Sequence, residues 1–494
     1  MKKIRFKIPQ EVKEVAEVLN KNNFEAYVVG GCVRDYLMDK TPEDWDLATN
    51  AWPEKVQEVF QEEGYKTFYE NEFGTVGVVL PFCPERKFNE IVEITTYRTE
   101  SAYSKRRKPG KVEWAKTIQD DLSRRDFTVN AIAVKADNLE VEDPFHGFLD
   151  LENKTIKAVG NPEERFNEDA LRMLRAVRFA TTLSFKIDKE TVSAIKKNSD
   201  LLQEISQERI RDELVKIIMT KRAAKGIDLL RGLGLLKYII PELEYGYGVE
   251  QNKHHVYDCY QHNLLSLDYA AKQNFNLRVR MSALLHDIAK PKVKKGQGDK
   301  STFYNHEIVG AQMTEKILER LKFPKEEAKK IVNLVRYHLF YYNVGEVSQS
   351  SVRRLVRQVG RENMEELLEL RTCDRIGSGV PKAEPYKLRH LKYVIEKTSQ
   401  DPVSVKMLNV GGQEVMDILK IKPSQKIGWI LEILLGLVLE NPENNEKKFL
   451  EKKIKELGRL TEEKIMKMAL KSKKEANKVE MKRDEMTKKK YWVV

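Results

Sequence analysis

An apolar run, Phe24-Glu-Ala-Tyr-Val-Val29, leads directly into Gly30-Gly31-Cys-Val-Arg34-Asp35, and Asp44-Trp-Asp46-Leu-Ala-Thr49 follows closely. The run reads as a strand entering a glycine turn. Residues i and i+2 of a strand point to the same face, so Asp44 and Asp46 could hold a divalent cation together. Gly30 and Gly31 allow backbone N–H groups to approach a phosphate chain closely. Arg34 can grip a phosphate with two parallel hydrogen bonds.

The surrounding pattern places this motif in a small α/β head. Residues 11–22 and 53–64 have helical periodicity, and strand-like runs follow at 74–80, 90–97 and 127–135. From about residue 163 long amphipathic segments dominate. The expected fold class is therefore α+β, a head with a mixed β-sheet and helices followed by a mainly α-helical remainder. Composition shifts and Gly/Pro clusters divide the chain into 1–160, 161–245, 246–380, 381–455 and 456–494. Residues 427–439 are apolar but short and interrupted by Glu432, which predicts a buried helix and no membrane span.

Net charge is +12 with a sequence pI near 9.1, which points to an anionic partner, nucleic acid before an acidic membrane surface. Much of the excess lies in residues 447–494, with 17 Lys+Arg against 8 Asp+Glu. Three readings fit that end: a solvated helix, a disordered extension or an RNA-gripping arm. Cys32, Cys83, Cys259 and Cys373 are widely spaced and form no C-x-x-C pair. Reduced thiols in a cytoplasm fit this pattern, and the N-terminus has no apolar signal-peptide core.

Further polar groups extend the first motif. Glu93, in the strand Ile91-Val-Glu-Ile-Thr-Thr-Tyr-Arg98, offers a third acid. Three carboxylates around Mg²⁺ suit transfer to an activated phosphate. Arg124-Arg125-Asp126-Phe-Thr-Val-Asn130 supplies groups for phosphate and sugar oxygens. In Glu168-Asp169-Ala-Leu-Arg172-Met-Leu-Arg175-Ala-Val-Arg178 the spacing predicts one helix, with Asp169 and Arg172 sharing a face. One reading is an ordinary intrahelical ion pair. The other is a base reader. Cytosine and adenine each present an exocyclic amine beside a bare ring nitrogen, whereas uracil and guanine present the reverse. A mismatched buried edge costs about 1–3 kcal/mol per unsatisfied group, so an Asp/Arg pair selects C and A.

In this order the motifs resemble those of bacterial class II CCA-adding tRNA nucleotidyltransferases, within the nucleotidyltransferase/poly(A) polymerase superfamily. The resemblance covers about residues 10–455. It implies Asp44, Asp46 and Glu93 as catalytic acids, the two aspartates binding Mg²⁺. It implies a triphosphate pocket shaped by Gly30, Gly31, Arg34 and Asp35, with Arg124, Asp126 and Asn130 on sugar and phosphate. Asp169 and Arg172 would face the base, and Arg175 and Arg178 would extend toward phosphate. Gln207-Glu208-Arg209-Ile210-x-x-Glu213 resembles a structural neck motif. The basic stretch with Lys105, Arg106, Arg107, Lys108 and Lys111 resembles the flexible loop linked to the switch from CTP to ATP. The implied partners are tRNA, CTP and ATP, with monomer and homodimer both open.

A second constellation lies downstream. His262, the adjacent His286-Asp287 and Asp374 have the order and types of an HD metal site, with His306 and His338 between them. Such a set suits a transition metal or Mg²⁺ and a phosphohydrolase. His254 and His255 lie outside the pattern and are expected to be non-ligands. Competing readings are an A-adding enzyme or poly(A) polymerase, an HD phosphohydrolase acting on RNA ends, and a pure RNA-binding protein. The Asp44/Asp46 pair argues against the last two, because RNA binding alone needs no clustered acids facing phosphate.

Overall fold

The computed structural model describes residues 6–71, 74–84, 88, 90–104, 108–252, 256–379, 384–399 and 405–493. The chain forms two compact units: residues 1–339 with 365–381, and residues 340–364 with 382–494.

The first unit opens with α1 (Gln10–Lys21), β1 (Tyr27–Val29), α2 (Gly31–Leu37), β2 (Trp45–Thr49), α3 (Pro53–Glu62), β3 (Lys66–Asn71), β4 (Thr75–Val79) and β5 (Ile91–Thr96). The hairpin β6 (Arg98–Ser104) and β7 (Lys108–Trp114) follows, then α4 (Ile118–Ser123), β8 (Ala133–Lys135) and β9 (Val141–Glu142). Seven strands form one mixed sheet in the order β3-β4-β5-β2-β1-β8-β9, with β2 and β5 parallel at its centre. Local chemistry explains several elements. Val12, Val15, Ala16 and Leu19 follow helical spacing and bury one stripe of α1. Pro53 starts α3, where its missing N–H costs nothing.

The helical part of this unit contains α5 (Gly147–Glu152), α6 (Pro162–Glu168), α7 (Leu171–Leu183), α8 (Lys189–Lys197), α9 (Gln207–Ile218), α10 (Ala223–Gly232) and α11 (Pro241–Glu244). Next come α12 (Cys259–Lys272), α13 (Leu277–Leu285), α14 (Lys290–Val293), α15 (His306–Arg320) and α16 (Lys325–Tyr337). One continuous apolar core runs from Phe6 to Val335, and a smaller core with Tyr97, Leu122 and Val159 covers the other face of the sheet.

The second unit is helical. It includes α17 (Gln349–Val359) and, beyond α18 (Met364–Gly377), the helices α19 (Tyr386–Ser399), α20 (Gly412–Leu419), α21 (Gln425–Glu440), α22 (Lys447–Gly458) and α23 (Glu462–Lys490). Its core joins Val415, Leu434, Ile454 and Ile465. Residues 340–364, kept within 246–380 by the sequence reading, group with this C-terminal unit, and α22 runs through the boundary expected at 455/456. The apolar stretch 427–439 lies in α21, and among the described residues no helix is long and apolar enough to cross a membrane.

Two local expectations need correction. The strand expected at 127–135 is a 3-10 turn over Thr128–Asn130, with a strand only at Ala133–Lys135. Hydrogen bonds among Asp126, Asn130 and Arg34 hold that turn. The helix expected through Glu168-Asp169 breaks there: α6 ends at Glu168 and Asp169 is extended (φ −145°, ψ 105°). Its carboxylate accepts from the Leu171 N–H and pairs with Arg209, contacts that an uninterrupted helix would not offer. Asp169 and Arg172 therefore do not share a face of one helix.

Candidate active site and metal centre

Asp46 is positioned by register. It lies opposite Glu93 across the parallel β2–β5 ladder, so the two carboxylates emerge side by side. Asp44 sits in a bend one residue before β2. Gly30, at φ +78°, turns the chain from β1 into α2, and a Cβ there would lie 2.8 Å from Arg125 Nη1. The left-handed conformation makes glycine the natural occupant.

A cavity of about 490 Å³ collects Gly30, Gly31, Arg34, Asp46, Glu93, Arg124, Asp126, Asn130, Asp169, Arg172 and Arg175. A polar chain orders one wall. Arg34 Nη1 donates to Asn130 Oδ1 at 2.7 Å, Asn130 Nδ2 donates to Asp126 Oδ1 at 3.2 Å, and Arg175 Nε donates to Asp126 Oδ2 at 2.7 Å. Burial alone would raise the Asp126 carboxyl, but the Arg175 guanidinium overrides it and holds the group below its usual range. Phe179 backs the wall, with the guanidinium carbons of Arg34, Arg175 and Arg178 at 5.4, 5.4 and 4.4 Å from its ring centre. Buried Asp121 braces Arg124 and Arg125, with ion pairs of 2.7 and 3.2 Å.

Asp169 and Arg172 both line the cavity, each tied to other groups. Arg209 Nη2 and Nη1 donate to the Asp169 carboxylate at 2.7 and 3.3 Å, while Arg172 pairs with Glu168 at 2.7 Å and donates to the Arg124 carbonyl at 3.0 Å. Three expected residues do not line the cavity: Asp44 precedes β2 instead of sharing a strand face with Asp46, Asp35 pairs with Arg34 at 2.8 Å, and Arg178 pairs with Glu213 at 3.2 Å. Residues 105–107 lie outside the described residues, while Lys108 and Lys111 belong to β7. Sequence reasoning left out Arg125 and Arg209 as site residues; both line the cavity. The neck motif carried the signal for Arg209, and the Arg124-Arg125 doublet carried it for Arg125.

The second centre gathers side chains from α12, α13–α14, α15, α16 and α18. His262, His286 and Asp374 form one group of potential ligand atoms within 4.8 Å of one another; Asp287, His306 and His338 form a second. Asp287 joins them: its Oδ2 lies 3.1 and 3.3 Å from the Nε2 atoms of His262 and His286, and its Oδ1 lies 3.3 and 3.7 Å from those of His306 and His338. The Nδ1 atoms of His286, His306 and His338 sit 2.7–2.9 Å from the carbonyls of Ala283, Phe303 and Val335. Donation there leaves each Nε2 lone pair facing inward, as metal ligation requires.

The electrostatics of this centre fit a cation. Asp287 is 1 % exposed, and Lys290 Nζ forms an ion pair with it at 2.5 Å. Burial would lower His286, yet Asp287 and Asp374 push it up to about 10. Burial and the neighbouring His286 push His338 down to about 3. His306 and His338 thus lie together with the four residues expected as ligands. The centre opens to a cavity of about 660 Å³ that also exposes Lys290, Arg371 and Arg375. His254 and His255, expected to be non-ligands, lie outside the described residues.

These two sites match known families. Residues 26–157 match the poly A polymerase head domain, residues 184–246 the probable RNA and SrmB- binding site of polymerase A, and residues 259–376 the HD domain. Fold and sites are thus similar to those of a poly A polymerase head domain followed by an RNA-binding segment and an HD domain. The resemblance read from the motifs is borne out: the curated relatives are CCA-adding enzymes. That of Listeria monocytogenes serotype 4b (strain CLIP80459) is 46% identical over 225 residues, covering 46% of this chain and 54% of the relative. That of Ligilactobacillus salivarius (strain UCC118) is 45% identical over 235 residues, covering 47% and 55%. The chain thus spans about half the length of the curated relatives it matches. Among solved structures, the Bacillus stearothermophilus CCA-adding enzyme in complex with CTP aligns with a TM-score of 0.58 at 25% identity, over 91% of this chain and 97% of that one. The Thermotoga maritima CCA-adding enzyme complexed with tRNA shares the fold, with a TM-score of 0.50 at 18% identity over 94% and 96%.

Proposed function

We propose that the head adds C, C and A to the 3′ end of tRNA from CTP and ATP, without a nucleic-acid template. The observation that carries this reading is the in-register pair Asp46 and Glu93, lining the same cavity as Asp169 and Arg172. Catalytic acids and base reader thus serve one nucleotide. A tRNA 3′ oxygen attacks the α-phosphorus, the bond to the bridging oxygen of the β-phosphate breaks, and pyrophosphate leaves.

An all-oxygen donor set of Asp44, Asp46 and Glu93 fits Mg²⁺. The bound ion supplies charge neutralisation of the triphosphate and a lowered pKa for the attacking hydroxyl. Arg124, Arg125 and Arg175 orient the phosphates, and Arg34, Asp126 and Asn130 fix the sugar side. Asp169 and Arg172 read the base edge. A carboxylate oxygen accepts two hydrogen bonds, so Asp169 Oδ2 engages Arg209 and still receives an exocyclic amine. The basic 105–111 stretch serves the change from CTP to ATP, and the protein acts in the cytoplasm. Asp46→Asn tests the assignment. It should abolish label transfer from CTP to a tRNA transcript lacking its last three nucleotides while tRNA binding persists; retained transfer rejects it.

A second reading concerns the HD centre, which we assign to phosphate-ester hydrolysis at RNA ends. It is favoured by two adjacent groups of potential ligands, bridged by the contacts of Asp287 with His262 and His286, beside a cavity that Lys290, Arg371 and Arg375 line.

A further inference from the structure

In the second unit, α17 carries three arginines and no acidic residue. α17 buries Val352 and Val359 and exposes Arg353, Arg354 and Arg357; Arg361 is exposed just beyond the turn at Gly360. Within α17 itself, residues 349–359, there is no Asp or Glu. Among the described residues none of these four arginines makes a hydrogen bond or ion pair. Arg353 and Arg357 are four apart and therefore neighbours on one face, where like charges destabilise an isolated helix. A face of this kind carries a cost that an anionic partner would remove.

The lysine-rich end differs. Lys453 pairs with Glu456, Lys467 with Glu463, Lys488 with Asp484 and Lys490 with Glu396. Four of its lysines are therefore already paired within the unit. The arginines of α17 also have the better shape for the task, because a guanidinium binds a phosphate through two parallel N–H groups. α17 packs against α19, which presents Tyr386, 39 % exposed, with the Arg389 guanidinium carbon 5.9 Å from its ring centre. Aromatic and guanidinium planes beside a cationic face suit RNA better than a lipid surface.

We propose that the solvent face of α17, with Arg353, Arg354 and Arg357, binds the phosphate backbone of tRNA. The proposal rests on the tRNA reading above and adds a contact surface outside the head. The test is binding of a tRNA transcript without its CCA end by fluorescence anisotropy, from 50 to 200 mM salt. Each phosphate contact contributes about 0.9 to the slope of log affinity against log salt, so R353Q/R354Q/R357Q should reduce the slope by about 2 to 3. The charge-keeping R353K/R354K/R357K should retain most of it, and its circular-dichroism melt should match that of the glutamine variant. A glutamine variant that melts as the wild type does and keeps the wild-type slope overturns the surface and leaves the head reading standing. Wild-type protein that fails to bind tRNA overturns both. Loss of binding to phosphatidylserine vesicles with unchanged tRNA binding would assign the face to membrane and also overturn the proposal.

Discussion

Arg209 grips Asp169 across forty residues of sequence, with Nη2 2.7 Å from Oδ2 and Nη1 3.3 Å from Oδ1. This contact ties α9 to the break between α6 and α7 and fixes the carboxylate that faces the cavity. Asp169 has no helix to hold it, so Arg209 acts as its positioning residue. Arg209→Ala should lower discrimination of CTP over UTP about tenfold, equivalent to about 1.4 kcal/mol. Arg209→Lys keeps the charge without the planar fork and should recover part of it. Single-turnover incorporation of each nucleotide checks this; unchanged selectivity in the alanine variant contradicts it.

Gly30 carries the turn into the site at φ +78°. Gly30→Ala should destabilise the head by about 1–2 kcal/mol through the left-handed backbone alone. The added Cβ also presses on Arg125 Nη1, 2.8 Å away, so nucleotide affinity should fall together with stability. Thermal melts with and without CTP separate the two effects.

The Asp126–Arg175 pair makes a pH prediction. The folded-state carboxyl is held below its usual value by Arg175 against the opposing effect of burial. A depressed carboxylate stabilises the fold above its unfolded pKa, about 3.9, and that contribution disappears as pH falls through the lower folded value. The melting temperature should therefore drop steeply below about pH 4. Asp126→Asn should be less stable at neutral pH and show a shallower acid limb. Parallel acid limbs in the two proteins would contradict the assignment.

The HD centre predicts a metal count. Two ligand groups joined through Asp287 should retain two tightly held ions per chain after dialysis, measured by elemental analysis. His306→Ala should lose one and His286→Ala at least the other, with nucleotide addition by the head unaffected. Equal metal content in wild type and both variants would contradict the centre.

Much of this architecture is legible in the sequence because its signals are local. The alternating runs at 74–80 and 90–97 become β4 and β5, and the acid in the second run meets Asp46 because β2 and β5 are parallel and in register. The order His262, His286-Asp287, Asp374 foreshadows a cluster that the helices bring together. What escapes a sequence reading depends on distant contacts. Glu168-Asp169-Ala170-Leu171 is compatible with an unbroken helix, and only Arg209 and the Leu171 N–H make the break favourable. His306 and His338 look incidental along the chain, since their convergence on Asp287 Oδ1 requires α15 and α16 to pack together.

In the proposed function one cavity first selects C and then A. Extension of tRNA transcripts ending before CCA, after C, after CC and after CCA, with CTP and ATP together and resolved to single nucleotides, tests it most directly. The first three transcripts should all stop at CCA, and the fourth should stay unchanged. Addition of A without C, or A runs that continue past the third position, would contradict it.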